Sequence, residues 1–313
     1  MTKVLFLFLD GIGLGGNDPE INPFVQARLP NLNKLIGGQP LTLSAAPFHG
    51  EIASLIALDA TLGIPSAPQS ASGQAVLLTG RNVPKEIGGH YGPKPNPQIA
   101  EILNQNNLFM EVIAQGGKTG LVNAYPPGYF QGIDSGKRLY SAIPLALTAS
   151  GLKLKTSEDL QNGEALSVDF TGEVWSAQPG FPPAPIYSYQ EAGVLLAALS
   201  RCYNLAWFDF WPSDYAGHRR DMAQAIELLE SIDEVFGALL NAWDLETDLI
   251  LLTSDHGNLE DLSQRSHTMN PVPCILVGPD EMRIHLTKGV SDLTDIAPII
   301  RRVLDLPHPP EPS

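Results

Sequence analysis

Lys3-Val4-Leu5-Phe6-Leu7-Phe8-Leu9-Asp10-Gly11-Ile12-Gly13-Leu14-Gly15-Gly16 is the stretch on which the fold of this 313-residue chain turns. Six apolar residues in a row stop at an acid and a Gly-rich turn, the pattern of a central strand buried on both faces. Similar short runs recur at 119–122, Leu205–Phe210, Leu249–Thr253 and 273–277. Between them the period changes: Met222, Ile226, Leu229, Ile232, Phe236, Leu239 and Leu240 fall on one helical face. Further helices are predicted over 188–201 and 293–304, the second capped by Asp292. Buried strands alternating with amphipathic helices predict an α/β fold, a mostly parallel sheet flanked by helices. Residues 1–125 and 186–313 read as its core. The region 126–185, rich in Gly, Pro, Ser and Thr with short apolar runs such as 165–168, reads as a small inserted cap. The proline-bearing 308–313 reads as a frayed tail.

A hydrophobic content of 43% with 17% charged residues is enough to build a core. The net charge is -15, from 19 Lys plus Arg against 34 Asp plus Glu. Such a surface repels nucleic acid and anionic membranes, so neither is an expected partner. An acidic protein that handles phosphates must concentrate positive charge locally, which bound metals do. Cys202 and Cys274 each sit in an apolar stretch, and two buried thiols in a reducing compartment are expected. No segment reaches the roughly 18 apolar residues of a membrane span. The opening apolar run is short for a signal-peptide core and lacks a small-residue cleavage site, so a cytoplasmic protein is expected. The sequence sets no oligomeric state.

Asp10 closes the first strand, and functional groups in open parallel sheets gather beyond such carboxyl ends. A lone Asp-Gly is ordinarily a turn cap. Gly11, Gly13 and Gly16 also spell a dinucleotide-binding pattern, but that requires a helix to follow at once. Asn17-Asp18-Pro19-Glu20-Ile21-Asn22-Pro23 does not supply one. Two further motifs follow strands: Asp214-Tyr215-Ala216-Gly217-His218 and Thr253-Ser254-Asp255-His256-Gly257-Asn258. A last one, His267-Thr268-Met269-Asn270-Pro271-Val272-Pro273, leads into a strand. Taken singly, each is more often a helix cap or a surface group than a ligand. Their convergence on strand ends, in a chain with seven His, favours a metal site.

Asp10-Gly11, Asp214-x-x-Gly217-His218, Asp255-His256-Gly257-Asn258 and the His267 motif together resemble the alkaline phosphatase superfamily. They are most similar to its metalloenzyme branch, which holds cofactor-independent phosphoglycerate mutase and phosphopentomutase. Ser291-Asp292-Leu293-Thr294-Asp295-Ile296-Ala297-Pro298 resembles the start of that superfamily's terminal helix. The likeness covers both ends of the chain and fails over the middle.

The resemblance implies two divalent metals, one held by Asp214, His218 and His267 and the other by Asp10, Asp255 and His256. It also implies a nucleophilic serine opening a helix about ten residues before a Gly, which counting back from Gly80 gives Ser70, with Ser72 the alternative. A serine hydroxyl is a poor nucleophile at neutral pH, and a divalent ion lowers its pKa. The expected intermediate is a phosphoserine, with Ser70 itself near the second metal. His and carboxylate ligands suit Mn2+ or Zn2+ better than Mg2+ or Ca2+ alone. The expected partner is a small phosphorylated metabolite, for which Arg81, Lys85, His90 and Lys94 are candidate contacts.

Phosphatase and phosphomutase both fit this chemistry. The short cap, whose basic residues are Lys137, Arg138, Lys153 and Lys155, leans toward hydrolysis. A sulfatase needs a Cys or Ser followed closely by Pro and Arg, which Ser70-Ala71-Ser72 lacks. A non-catalytic member of the fold would be expected to have lost a ligand, and none is missing.

Overall fold

The computed structural model describes residues 2–307, so the expected tail at 308–313 lies outside the described residues. The opening apolar run forms β1 (Val4–Leu9), buried along its whole length. Side chains alternate across a strand. Val4, Phe6 and Phe8 accordingly enter one hydrophobic core, and Leu5, Leu7 and Leu9 enter another on the opposite face. Helices Ser70–Thr79, Leu108–Ala114, Ala142–Ala149 and Ile296–Val303 cover the first face. Tyr189–Ser200 and Met222–Ala242 cover the second. Trp207 stacks on Phe6 with ring centroids 3.6 Å apart. Truncating a side chain sealed in this way costs about 3–5 kcal/mol.

The other strands are β2 (Phe48–His49), β3 (Ala53–Leu58), β4 (Thr119–Leu121), β5 (Leu205–Phe210), β6 (Leu249–Thr253) and β7 (Val272–Val277). They form one sheet in the order β2-β3-β7-β6-β1-β5-β4. β1 pairs in parallel with β5, Val4 opposite Leu205, and with β6, Val4 opposite Leu249. β4 continues the parallel block beside β5. β7 runs against both β6 and β3, and β2 against β3. The sheet is therefore mixed, though mostly parallel. The 254–271 link between β6 and β7 contains no crossover helix, and a parallel return needs one. The pair β2 and β3 is absent from the sequence reading, because β2 is two residues long and two alanines and a serine dilute the apolar run Ala53-Ser54-Leu55-Ile56-Ala57-Leu58.

The predicted helices form. Ser188 caps Tyr189–Ser200 in a capping box with Glu191, and Asp292 caps the turn Leu293–Asp295 that leads into Ile296–Val303. Within 126–185 lie short helices Pro127–Asp134, Ala142–Ala149, Ser157–Gln161 and Glu173–Ala177. Ala142, Ile143, Ala146 and Leu147 join the core under Phe6, whereas Leu160, Ala165 and Trp175 gather with Ala124 in a small cluster of their own. Cys274 is buried as expected, but Cys202 is exposed, because it falls in the turn after a helix. Among the described residues, no helix is long and apolar enough to cross a membrane.

Candidate metal centre and active site

β1, β5 and β6 are parallel and in register, so their carboxyl ends share one edge of the sheet. That edge receives Asp10 directly after β1, Asp255 and His256 after β6, and Asp214 in the helix Pro212–Arg219 that follows β5. Because β7 is reversed, the loop leading into it starts at the same edge and brings His267 there. Ser70 opens the helix Ser70–Thr79, whose Gly73 leaves room for the chain at Asp255, where an added Cβ would lie 2.9 Å from the Asp255 Cβ. Gly11 turns the chain after Asp10 at φ +70°, a left-handed conformation that suits glycine, and lets Asp214 approach.

Two groups of potential ligand atoms lie within 4.8 Å: Asp10, Asp255 and His256, and Asp214, His256 and His267. His218 Nε2 is 3.3 Å from Asp214 Oδ2 and 3.3 Å from His267 Nε2. His256 Nε2 lies 3.3 Å from Asp10 Oδ1, 3.7 Å from Asp255 Oδ2 and 3.1 Å from Ser70 Oγ. The imidazoles of His256 and His267 stack 3.7 Å apart.

The hydrogen bonds fix which nitrogen faces the centre. His267 Nδ1 is 2.8 Å from the Pro68 carbonyl, His218 Nδ1 3.1 Å from the Arg265 carbonyl, and His256 Nδ1 3.4 Å from the Gly257 carbonyl. A carbonyl only accepts, so each Nδ1 carries a proton, and Nε2 is the nitrogen left facing inward with its lone pair free to ligate. Two such lone pairs 3.3 Å apart, on His218 and His267, repel unless a cation lies between them. Asp10 Oδ1 is buried without a hydrogen-bond partner, which a ligated ion also resolves. The donor set of His and carboxylate therefore fits divalent metals.

Electrostatics agree. Burial holds the Asp10 carboxyl well above the usual carboxylate range, and negative charge on Asp255, Asp214 and Asp209 pushes the same way. Burial, then the Asp214 charge, raises Asp255. Burial keeps His256 neutral, with His267, His218 and His90 adding to the effect. Crowded carboxylates and inward lone pairs are what a cation relieves.

Several supporting residues escaped the sequence reading. Gln74 Nε2 sits 3.4 Å from Asp10 Oδ2 and 3.3 Å from Asp255 Oδ2. Its signal was present, since it lies one helical turn after Ser70. Asn258 Nδ2 donates to Asp214 Oδ1 at 2.7 Å. Buried Glu260 accepts from the backbone N–H groups of Gly13 and Asn258 and from the Thr268 hydroxyl, tying the Asp10, His256 and His267 loops together.

The two serines differ. Ser70 Oγ faces the cluster, whereas Ser72 Oγ donates to the Gln69 carbonyl and accepts from the Tyr91 N–H. The expected phosphate contacts divide in the same way. Arg81 pairs with Glu86 beyond the far end of the Ser70 helix, about 15 Å along it, and Lys85 follows there. Neither lines the cleft beside Ser70, because a ten-residue helix carries them away from it. His90 donates through Nε2 to the Thr61 carbonyl at 3.0 Å and also stays off the cleft wall. Lys94 does line it, together with Arg138 and Asp209, around a volume of about 400 Å³.

Residues 187–307 match the model of the Metalloenzyme superfamily. That span holds Asp214, His218, Asp255, His256 and His267, while Asp10 and Ser70 lie outside it. The chain is 27% identical over 194 residues to a 2,3-bisphosphoglycerate-independent phosphoglycerate mutase of Desulforudis audaxviator, covering 56% of this chain and 38% of that protein. A namesake from Thiobacillus denitrificans is 34% identical over 127 residues, covering 38% and 24% of the two chains. The matched region thus spans well under half the length of these curated relatives. A solved protein from Pyrococcus horikoshii superposes with a TM-score of 0.56 at 17% identity, covering 97% of both chains. The alkaline phosphatase of the Antarctic bacterium TAB5 superposes with a TM-score of 0.51 at 13% identity, covering 97% of this chain and 98% of that one. The 187–307 segment of this chain is thus similar to the metalloenzyme superfamily, and the chain as a whole takes the alkaline-phosphatase-like fold.

Proposed function

We propose that the chain is a two-metal phosphoryl-transfer enzyme acting on a small phosphomonoester through a phosphoserine at Ser70, as a phosphatase or a phosphomutase. The observation that carries this reading is the Ser70 hydroxyl, 3.1 Å from His256 Nε2 at the edge of a buried cluster of carboxylates and inward-facing imidazoles. Asp214, His218 and His267 would hold one ion, and Asp10, Asp255 and His256 the other, with Mn2+ or Zn2+ the suitable metals. These ions supply the charge that lowers the pKa of the serine hydroxyl and offsets the phosphoryl oxygens.

The chain's own residues do the rest. Ser70 Oγ, its proton released to solvent, forms a bond to phosphorus as the bond from phosphorus to the alcohol oxygen breaks on the opposite side. The departing oxygen takes up a proton from water. Attack on the phosphoserine by water (phosphatase) or by a substrate hydroxyl (mutase) then breaks the Oγ–phosphorus bond and returns Ser70. The helix that Ser70 opens presents its N-terminal dipole to the phosphoryl oxygens. Gln74 and Asn258 hold the acidic ligands in place. Lys94 and Arg138 face the entering substrate from the cleft wall. Residues 126–185, which contribute Tyr129, Arg138, Trp175 and Phe181 to that wall, act as the cap that limits water.

Phosphorus NMR of the Mn2+- or Zn2+-loaded protein with a mixture of phosphomonoesters, 3-phosphoglycerate and ribose 1-phosphate among them, tests the reading. Growth of inorganic phosphate marks a phosphatase, and a phosphate that moves without release marks a mutase. An unchanged spectrum under both metals counts against phosphoryl transfer.

A further inference from the structure

Beyond Asp10, Ser70 and Asp214, the cleft is walled by Tyr125, Tyr129, Trp175, Phe181, Trp211 and Tyr215. The Tyr125 and Tyr129 rings lie 4.5 Å apart, and the Tyr125 ring lies 6.3 Å from that of Trp211, tilted by 22°. Trp175 and Phe181 meet edge to face at 5.0 Å. Aromatic walls of this kind favour flat partners.

A second, independent observation concerns polar atoms. The phenolic oxygens of Tyr125 and Tyr129 are buried in this wall and have no hydrogen-bond partner. Leaving a buried hydroxyl unpaired costs about 1–3 kcal/mol, so each phenol is a place where a ligand group gains. Burial raises both phenols, which therefore remain protonated and able to donate.

The charges point to the same kind of ligand. Lys94 and Arg138 are the cations of the wall, against Asp10, Asp169, Asp209 and Asp214. With the ligand Asp255 added, the deficit is three charges; two divalent ions turn it into a surplus of one, which one phosphate dianion more than consumes. Little positive charge is left for a second anionic group, and Arg138 already lies over the Tyr129 ring, 4.7 Å from its centroid.

We infer that the substrate is the monophosphate of an uncharged aromatic alcohol, its ring seated among Tyr125, Tyr129 and Trp211 and a hydrogen-bonding substituent meeting the two phenols. A substrate that carries a carboxylate besides its phosphate, such as phosphoglycerate, is disfavoured. The inference rests on the phosphoryl-transfer reading for the phosphate end of the ligand; the ring end rests on the wall.

Non-hydrolysable phosphonates test it on the metal-loaded full chain, by calorimetry and by quenching of tryptophan fluorescence. Benzylphosphonate is expected to bind about tenfold more tightly than methylphosphonate. 4-Hydroxybenzylphosphonate should gain roughly a further threefold, an increment that shrinks in Tyr125→Phe or Tyr129→Phe, which keep the ring and the fold. Hexylphosphonate binding as tightly as benzylphosphonate overturns the aromatic assignment. Tighter binding of 3-phosphonopropionate, which adds a carboxylate to the phosphonate, overturns the charge argument. Methylphosphonate bound with no gain from a ring overturns this inference alone, whereas no binding of any phosphonate removes the phosphoryl-transfer reading with it.

Discussion

Ser70 and Ser72 share one helical turn, yet one hydroxyl is directed to the ligand cluster and the other is spent on the Gln69 and Tyr91 backbone. Ser70→Ala should lower turnover by about 10³-fold or more while elemental analysis still finds both metals. If the variant keeps the wild-type rate, the covalent role moves to Ser72 or is lost. Asp209 gives a prediction in pH. Burial raises its carboxyl from 3.8 to about 7, with Lys94 opposing. Between these values the folded metal-free protein binds a proton that the unfolded chain has released, so stability falls as pH rises through that window and levels off above it. The full effect is on the order of 4 kcal/mol at most. Urea melts of metal-free Asp209→Asn should show a shallower decline from pH 4 to 7 than wild type. Equal slopes would mean that Asp209 titrates normally.

The helix Ser70–Thr79 is anchored at both ends, and each anchor can be removed. At its C-terminal end, buried Arg301 donates to the Thr79 carbonyl and pairs with Glu111 at 2.8 Å, joining the helices Leu108–Ala114 and Ile296–Val303. Glu111→Ala strands a buried guanidinium and should cost about 3–5 kcal/mol in denaturant melts. The paired change Glu111→Leu with Arg301→Met should recover most of that, and failure to recover would show that the charge is not the cause. At the other edge, His218→Ala or His267→Ala should each remove one metal equivalent. An unchanged metal count breaks the proposed ligand sets. Much of this was legible at the level of elements. The apolar runs and the helical period mark the four parallel strands β1, β4, β5 and β6 and the long helix Met222–Ala242, because burial on both faces or on one stripe leaves a plain pattern. The reversed β7 was legible as a strand but not in direction, which depends on the loop before it. The candidate ligands could be named because each follows or precedes such a strand within a recognisable motif. Glu260 and the cleft aromatics act through tertiary contacts with distant segments, and no local period reports these; Asn258 stood in a quoted motif, but its contact with Asp214 did not show there. Arg81 and Lys85 misled for the same reason: closeness in sequence to Ser70 became distance once a helix lay between.

For the molecule as a whole, most of the acidic residues behind the net charge of -15 lie outside the core, but Asp10, Asp255 and Glu260 are buried at one edge of the sheet. Without metal, burial raises both carboxyls, with the Asp255, Asp214 and Asp209 charges adding at Asp10 and the Asp214 charge at Asp255, so the folded protein retains protons there at pH values where free carboxylates have lost them. Metal ligation requires the ionised forms, so loading must expel those protons into the buffer. Calorimetric titration of the metal-free protein with Mn2+ or Zn2+ should therefore give an apparent enthalpy that changes with the ionisation enthalpy of the buffer. The slope of that dependence counts the protons released, and it should diminish as pH rises through the range in which these carboxyls titrate. Loading should also raise the melting temperature, by mass action on the folded state alone: about 2.7 kcal/mol when free metal is a hundredfold above Kd. Asp10→Asn removes one of the two interacting carboxylates and should lower both the metal affinity and the number of protons expelled. An enthalpy independent of the buffer would mean that the cluster is already fully ionised in the metal-free fold. The inward imidazoles would then be left as the main feature favouring a cation at this edge.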